Sequence, residues 1–430
     1  MKKVLFLVAA IADTVIAFAQ ANCAAASSGL TPINDLGTGS FVNAWAATWT
    51  GGLYPNGSNY RPATHMAAGI SLAQQVVPLD ATGNIDNVNG KIVWLSIGMS
   101  NATMETQQFI PLANAYANKN PKLTFVDGAQ GSMTASVIST PSNPNYATYW
   151  NTINTRLATA GVTSSQVEVI WFKEANPASG SQIQPYYDSL IVQYKRIMNN
   201  IKVRFPNVKL CYMASRISAR YASSTLNPEP YAYYTGWAVK KVIEDQINGD
   251  PQLQYSGPGA NSPFLSYGIY MWSDGSTPEL TNPNVFWTCP TDFTTDGTHP
   301  SVPTGAAKVA NLLLTFFQND TLSCPWFFNT APAWCGVVGI QHETISGAAL
   351  NIFPNPFSTT TTIQITSSEL KNKNLDLKLY NLFGQEIMQT RNIKNETIID
   401  RSNFLSGIYI LKLFSTDDNK FISVNKITIE

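Results

Sequence analysis

The chain has 430 residues, 44% of them apolar, and its 27 acidic and 27 basic side chains give a formal net charge of zero. A chain of this length suits two domains rather than one, and the apolar fraction is sufficient for packed cores. Zero net charge gives no electrostatic basis for binding nucleic acid or an acidic membrane surface, so we expect neither as a partner.

Residues 1–19 have the pattern of a cleaved export signal. A basic MKK start is followed by the apolar run VLFLVAAIADTVIAFA, which Asp13 interrupts, and Ala17-Phe18-Ala19 forms a small-x-small cleavage site. The run is short for a membrane span, and no charged stop follows it. The alternative is a buried N-terminal helix.

The five cysteines predict a modest disulfide content. Cys324 and Cys335 bracket a short loop and are expected to pair in an oxidising compartment. Cys211 lies in an apolar run and is expected to be a buried thiol, while Cys289 has no predicted partner. The spacing of the cysteines does not fit a zinc site.

Apolar runs that fit strands alternate with runs that fit helices between residues 90 and 320. The predicted strands are 91–97, 123–126, 167–172, 208–213 and 264–271, and the predicted helices are 106–117, 146–157, 187–201, 236–247 and 304–317, with Thr304 as the cap of the last. This alternation predicts an α/β domain with a doubly wound, mostly parallel sheet and helices on both faces. Ligands of such sheets bind beyond the carboxyl ends of the strands, so we expect the chemistry there.

The stretch DGTHPS, residues 296–301, places an acid and an imidazole three residues apart before the last predicted helix. The chain has three histidines, and His299 is the best placed for acid–base chemistry because Asp296 can orient it. His65 is expected to be structural or to line a rim, and His342 is expected to be solvated in a linker. The alternative for DGTHPS is a helix N-terminus with an incidental histidine.

Polar or small residues follow the first three predicted strands. Ser100 follows the first strand, Gly128 and Gly131 follow the second, and Asn176 follows the third. A serine on a strand-to-helix turn exposes its hydroxyl, and the helix N-terminus favours a developing anion. A glycine lets the backbone N–H approach a substrate, and a side-chain amide adds another donor. Taken singly, each of these residues also fits an ordinary turn.

The order Ser, Gly, Asn and Asp-x-x-His resembles that of the SGNH (GDSL-like) hydrolases over roughly residues 90–320. The resemblance implies a flavodoxin-like, three-layer α/β fold and a serine esterase that needs neither a metal nor an organic cofactor. It also implies Ser100 as the nucleophile, His299 as the base and Asp296 as its orienting acid. The oxyanion hole would then comprise the N–H of Ser100, Gly131 and Asn176.

The chain departs from the family pattern at several positions. The run IWFKEAN resembles the Gln-Gly-Glu-Ser-Asn segment of the carbohydrate acetylesterase branch, with Lys173 and Ala175 as departures. Met99 stands where the family has the aspartate of Gly-Asp-Ser. The triad remains complete, but this segment no longer indicates which substrate is used. Gly128 is the alternative to Gly131 as the glycine of the family's Ser, Gly, Asn and His order. Gly131 is favoured because the run QGS around it better matches the Gly-Gly-Thr pattern of the branch.

Residues near the ends of the predicted strands are further candidates. The candidate substrate-lining residues are Met99, Asn101, Lys173, Glu174, Arg216 and Trp272, with Arg220, Tyr221, Tyr270 and Asp274 alongside them. Packing within loops is at least as good an explanation for each.

In residues 345–430, apolar and polar residues alternate with a period of two, which predicts a small all-β, immunoglobulin-like sandwich. Residues 329–344 are predicted to be a linker before it. The runs IFPNPF, LYNLFGQEI, LSGIYILKL and KITI resemble the type A sorting domain of the type IX secretion system. The resemblance implies that the secretion machinery is a partner and that the chain crosses the periplasm and outer membrane of a Gram-negative bacterium. A carbohydrate-binding sandwich is the alternative, although aromatic residues are few there.

These features predict a signal peptide, an SGNH hydrolase-like domain over 20–328 and a sorting domain. The expected function is a secreted or cell-surface serine esterase that cleaves acetyl or other short acyl esters, with acylated polysaccharide as the candidate substrate. The alternatives are a catalytically inactive surface protein that binds glycans and a lipid esterase. The sequence makes no prediction of the oligomeric state.

Overall fold

The structure is a computed structural model. It describes residues 20–178, 182–337, 350–367, 370–371, 373–381, 386–401, 404–416 and 420–430. The predicted signal peptide, His342 and the second half of the predicted linker lie outside the described residues. Contacts divide the chain into two compact units, Met1–Gly339 and Ile340–Glu430.

A five-stranded parallel sheet forms the centre of the first unit. The strands of this unit are β1 (Ser40–Val42), β2 (Thr48–Thr50), β3 (Ile92–Gly98), β4 (Leu123–Asp127), β5 (Val167–Lys173), β6 (Leu210–Ala214) and β7 (Phe264–Tyr267). Strands β1 and β2 form an antiparallel hairpin, and the others run in the order β4-β3-β5-β6-β7 with every neighbouring pair parallel. This is the strand order of flavodoxin-like doubly wound sheets. Every residue of β3 and β5 is buried, which explains their continuous apolar runs.

Helices surround the sheet. They are α1 (Ile33–Leu36), α2 (Ala63–Ala73), α3 (Ser100–Asn114), α4 (Ala135–Ser139), α5 (Tyr146–Thr159), α6 (Ile183–Arg204), α7 (Tyr231–Ile247), α8 (Ala307–Asn319) and α9 (Cys324–Phe327). Short 3₁₀ turns cover Pro55–Gly57, Ser164–Gln166, Pro251–Leu253, Thr321–Ser323 and Ala333–Val337, and a π-helical turn covers Val302–Ala306.

The side chains of β3 alternate between two separate cores. Val93, Leu95 and Ile97 pack with the apolar residues of α4, α5, α6 and α7, whereas Ile92 and Trp94 pack with those of α2, α3 and α8. The sheet therefore has helices on both faces, which confirms the predicted α/β class.

The start of α8 differs from the sequence prediction. The N-cap of this segment is Ser301, whose Oγ accepts a hydrogen bond from the N–H of Gly305 at 3.1 Å. Thr304, the predicted cap, instead donates its hydroxyl to the carbonyl oxygen of Thr291. The prediction was wrong because both hydroxyls can cap a helix, and the local sequence does not decide which of them accepts the N–H of Gly305.

Two disulfides join residues of the first unit. Cys324 pairs with Cys335, as predicted, and Cys23 pairs with Cys289, with Cα–Cα distances of 5.5 and 5.3 Å. Cys211 is a buried thiol, as predicted. The Cys23–Cys289 pair was not predicted because its members lie 266 residues apart and no local pattern relates them.

The second unit consists of two antiparallel sheets that share one core. Its strands are β8 (Leu350–Phe353), β9 (Thr360–Ile365), β10 (Leu375–Tyr380), β11 (Glu386–Ile393), β12 (Glu396–Asp400), β13 (Gly407–Ser415) and β14 (Lys420–Ile429). The sheet orders are β11-β10-β13-β14 and β12-β9-β8. Alternate residues such as Leu377, Leu411 and Ile363 are buried between them. This confirms the predicted small all-β domain.

The two disulfides should contribute unequally to stability. In the chain-entropy model, the advantage of closing a loop of 266 rather than 11 residues is about 3 kcal/mol. We therefore expect Cys23→Ser/Cys289→Ser to lower the midpoint of urea unfolding more than Cys324→Ser/Cys335→Ser, which serves as the control. Equal midpoints for the two double variants would contradict this expectation.

Candidate active site

Ser100, His299 and Asp296 form a continuous series of hydrogen bonds. The Oγ of Ser100 lies 2.6 Å from Nε2 of His299, and Nδ1 of His299 lies 2.5 Å from Oδ2 of Asp296. The carboxylate fixes the tautomer with hydrogen on Nδ1, so Nε2 is left to accept the Ser100 proton. The side chains of His299 and Asp296 are 20% and 26% exposed, so solvent reaches this site.

The Asp296 carboxylate is held by several donors. Its Oδ1 accepts hydrogen bonds from the N–H groups of His299 and Thr298, both at 3.0 Å, and from the hydroxyl of Thr294 at 2.7 Å. Partial burial acts to raise the pKa of Asp296, but the hydrogen bonds from His299, Thr298 and Thr294 outweigh it and hold the pKa below its usual range. Asp296 is therefore an anion that orients the imidazole.

A glycine permits the sharp turn between the acid and the base. Gly297 has φ of +67°, and a Cβ at this position would lie 1.9 Å from the carbonyl oxygen of Tyr221. Only glycine fits both the left-handed backbone and this close approach. The turn brings Asp296 back onto His299.

Ser100 is the first residue of α3, directly after β3. Gly98 allows this tight strand-to-helix turn, since a Cβ there would lie 2.4 Å from Cβ of Ala102 and 2.5 Å from the carbonyl oxygen of Lys173. The first N–H groups of a helix have no acceptor within the helix and point toward its N-terminal end. Together with the helix dipole they favour negative charge beside Ser100.

Gly131 lies beside Ser100, and Gly128 does not have a free N–H. A Cβ built on Gly131 would lie 4.0 Å from Cβ of Ser100. The N–H of Gly128 donates to Oγ of Ser96 at 3.1 Å, and a Cβ there would meet the Ser96 carbonyl oxygen at 2.5 Å. The geometry therefore favours Gly131 over Gly128 as a donor toward a substrate.

The Asn176 side chain contacts α4 and α6. Its Oδ1 accepts a hydrogen bond from the N–H of Ser136 at 3.0 Å, and its Nδ2 donates to Oε1 of Gln193 at 2.7 Å. An amide nitrogen carries two hydrogens, so one remains for a substrate oxygen. The predicted contribution of Asn176 to an oxyanion hole stays a prediction.

Two buried side chains hold the residue that precedes His299. Nη2 of Arg216 donates to the carbonyl oxygen and hydroxyl of Thr298 at 2.9 and 2.7 Å, and Nδ2 of Asn101 donates to the same carbonyl oxygen at 3.1 Å. Arg216 follows β6 and Asn101 is the second residue of α3, so three segments meet at Thr298. The sequence gives no signal for this role beyond the presence of polar residues after strands.

The six candidate substrate-lining residues lie inside the protein. Their exposed fractions range from 0% to 7%: Met99 7%, Asn101 1%, Lys173 1%, Glu174 0%, Arg216 1% and Trp272 0%. Trp272, for example, donates to Oε1 of buried Glu229 at 2.7 Å. These side chains pack largely inside the protein, and their contact with substrate stays a prediction.

The remaining candidates also have structural contacts. The N–H of Ser28 donates to Oδ2 of Asp274 at 2.9 Å, and Nη2 of Arg220 donates to the carbonyl oxygen of Ala25 at 2.8 Å, so both hold the N-terminal segment. His65 is buried, stacks on Phe264 and is hydrogen-bonded to a backbone carbonyl oxygen. Burial lowers the pKa of His65 to about 4, as expected for a structural histidine.

Among the described residues, no group of three or more His, Cys, Asp or Glu side chains could hold a metal ion. None of the described helices is long and apolar enough to cross a membrane.

A family model of the secretion system C-terminal sorting domain matches residues 351–430. The match confirms the predicted sorting domain in the second unit and indicates export to the cell surface or the medium. No curated protein matches the chain.

Solved structures resemble parts of the chain only weakly. A candidate acylhydrolase of Bacteroides fragilis is 10% identical, covers 60% of this chain and 97% of its own, and has a TM-score of 0.30. A gut microbial diltiazem-metabolizing enzyme is 13% identical over 74% of this chain and 72% of its own, with a TM-score of 0.29. An immunoglobulin-like β-sandwich protein of Bacteroides vulgatus is 14% identical over 19% of this chain and 86% of its own, with a TM-score of 0.17. Likenesses this weak carry no argument about fold or activity.

Replacement of the acid should change how stability depends on pH. Because the folded-state pKa of Asp296 is depressed, its contribution is complete above its unfolded pKa of about 4 and is lost as pH falls further. We expect the difference in unfolding free energy between wild type and Asp296→Asn to shrink as pH falls from about 5 toward 2. Chemical denaturation at each pH measures it.

Asp188, exposed on α6, supplies the control. The difference between wild type and Asp188→Asn should vary less over the same pH range. A difference for Asp296→Asn that grows as pH falls from about 5 to 2 would contradict the hydrogen-bonded carboxylate.

Proposed function

We propose that this protein is an exported serine esterase of SGNH type, with Ser100 as nucleophile, His299 as general base and Asp296 as the orienting acid. The observation that carries the proposal is the unbroken Ser100–His299–Asp296 series, with distances of 2.6 and 2.5 Å, at the N-terminus of a 15-residue helix. A serine hydroxyl is a weak nucleophile unless a base removes its proton, and this geometry supplies the base and its support.

The reaction would proceed through an acyl-enzyme. Oγ of Ser100 attacks the ester carbonyl carbon while its proton passes to Nε2 of His299. The tetrahedral intermediate collapses, the C–O bond to the alcohol breaks, and His299 donates the proton to the departing alcohol. Water then attacks the acyl-enzyme with His299 again as base, and the carboxylic acid leaves as Ser100 regains its proton. Asp296 stays ionised and stabilises the imidazolium in both halves.

The developing oxyanion would be stabilised by the donors around Ser100. We assign the N–H groups of Ser100 and Gly131 to this role, with the remaining N–H of Asn176 as a third donor. The helix dipole of α3 adds to their effect. The assignment of Gly131 is supported by its place beside Ser100, where a Cβ would lie 4.0 Å from Cβ of Ser100. Removal of one such donor typically costs about 10²- to 10³-fold in kcat.

The substrate class follows from the resemblance to the carbohydrate acetylesterase branch. We propose acetyl or other short acyl esters, carried by polysaccharide, as substrates. Export through a type IX secretion system would bring the enzyme to such polymers at the cell surface or in the medium, and the sorting domain would contact the machinery that exports it.

Loss of the nucleophile should abolish turnover. We expect Ser100→Ala to lower kcat for p-nitrophenyl acetate by about a million-fold, because no other group in the series can form the acyl-enzyme. Ser189→Ala, at an exposed position of α6, should keep wild-type kcat. A fluorophosphonate probe should label wild type at Ser100 but label neither Ser100→Ala nor His299→Ala.

Unchanged hydrolysis by Ser100→Ala would refute the proposed nucleophile. A folded wild-type protein that neither reacts with the probe nor hydrolyses esters, yet is retained on glycans, would identify the binding-protein alternative. Preferential cleavage of long-chain lipid esters would identify the lipid esterase.

Removal of the second unit should block export. A chain that ends at residue 344 lacks all residues matched by the sorting-domain family, 351–430. We expect it to accumulate in the periplasm of the native host, whereas the full chain reaches the surface or medium. Cell fractionation with an antibody against the first unit measures this, and equal amounts of both chains outside the cell would contradict it.

A further inference from the structure

Lys173 is an unusual residue at its position. It is the last residue of β5, where the resembled motif has glycine, and its side chain is 1% exposed. Its Nζ lies 2.6 Å from Oε1 of Glu105, which is 0% exposed. The chain therefore has a fully buried ion pair between the end of a central strand and the helix that begins with Ser100.

Such a pair is an expensive way to stabilise a fold. Two charges that leave water are compensated by their mutual attraction only if the geometry is excellent, and apolar side chains of similar size often stabilise as well or better. Burial lowers the pKa of Lys173 to about 8 and raises that of Glu105, so both charges bear this cost. A role in positioning α3 would explain why an ion pair, and not a pair of apolar side chains, is present here.

The pair lies on the face of α3 that contacts Thr298, the residue before the candidate base. Asn101 and Glu105 are four residues apart and therefore lie on the same side of the helix. Asn101 donates to the Thr298 carbonyl oxygen at 3.1 Å, and Glu105 bonds Lys173 one turn further along. The helix is thus attached to the His299 loop through Asn101 and to β5 through Glu105.

We propose that Lys173 is a positioning residue, whose ion pair with Glu105 fixes the first turns of α3 against β5 and keeps Ser100 within hydrogen-bond reach of His299. This inference rests on the proposed function. It gives Lys173 an indirect role, since its side chain is 1% exposed and bonds Glu105 inside the protein. A displacement of reacting groups by about 1 Å can cost about 10²-fold in rate, so a small movement of α3 would suffice to affect catalysis.

Loss of Lys173 would leave Glu105 with Arg216 as its remaining cationic neighbour, and loss of Glu105 would leave Lys173 without the carboxylate that it bonds. Oε2 of Glu105 has no hydrogen-bond partner, so Oε1 carries the contact with Lys173. Without Lys173 the buried carboxyl would take up a proton or draw in water, and α3 would move to accommodate either change. The same reasoning applies to Lys173 if Glu105 is neutralised.

Steady-state kinetics with p-nitrophenyl acetate test this inference. We expect Lys173→Met to lower kcat by about 10- to 100-fold with KM unchanged, when rates are normalised to the sites that a fluorophosphonate labels. Glu105→Gln should have a similar effect. Because both residues act through one pair, the double variant should lose no more than the poorer single variant. Lys195→Met, which breaks the ion pairs of α6 with Asp245 of α7 and with Asp250, is the control and should keep wild-type kcat.

Two results would overturn the inference. One is a lower melting temperature for Lys173→Met with wild-type kcat per labelled site, which would make the pair merely structural. The other is a double variant in which the two losses multiply. If Lys173→Met does not fold, Glu105→Gln carries the same test. The proposed function fails separately, if Ser100→Ala retains activity, whatever the Lys173 variants do.

Discussion

Both ring nitrogens of His299 are hydrogen-bonded, one to Ser100 and the other to Asp296, and the rest of the site depends on this arrangement. Ser100 lies 199 residues before His299 in the chain. The parallel sheet brings the two residues close in space, because its strands end at one edge and α3 begins directly after β3. The turn at Gly297 then folds the acid back onto the base. The geometry of the site therefore depends first on the topology of the sheet and second on the local sequence around His299.

Buried polar side chains form a layer behind the series of Ser100, His299 and Asp296. Arg216 and Asn101 hold Thr298, and Lys173 bonds Glu105. Each contact joins two segments that are far apart in sequence, and each lies on the inner side of the series formed by Ser100 and its partners. Hydrogen bonds in such an environment are strong when satisfied and costly when broken. The layer accordingly supplies the rigidity that the proposed nucleophile and base require.

The sequence predicted those features whose signal is local. β3 and β5 are buried on both faces, so their apolar runs identified them, and DGTHPS brought an acid and a base together within one turn. Features that depend on contacts between distant segments were not predictable: the Cys23–Cys289 disulfide, the choice of Ser301 as a cap, and the inward direction of Arg216. Order along the chain indicates which residues reach the sheet edge, but only packing decides which way they point.

The sorting-domain match and the candidate site belong to separate units, since the match covers 351–430 and the site lies before residue 302. In the proposed mechanism, Ser100 carries the acyl group between the two halves of the reaction. Rapid acid quenching during turnover of p-nitrophenyl acetate, followed by peptide mass spectrometry, would detect this acyl-enzyme. We expect an acetyl group on the peptide that contains Ser100, and specifically on Ser100. Turnover without any acyl adduct, or with an adduct on another residue, would contradict it.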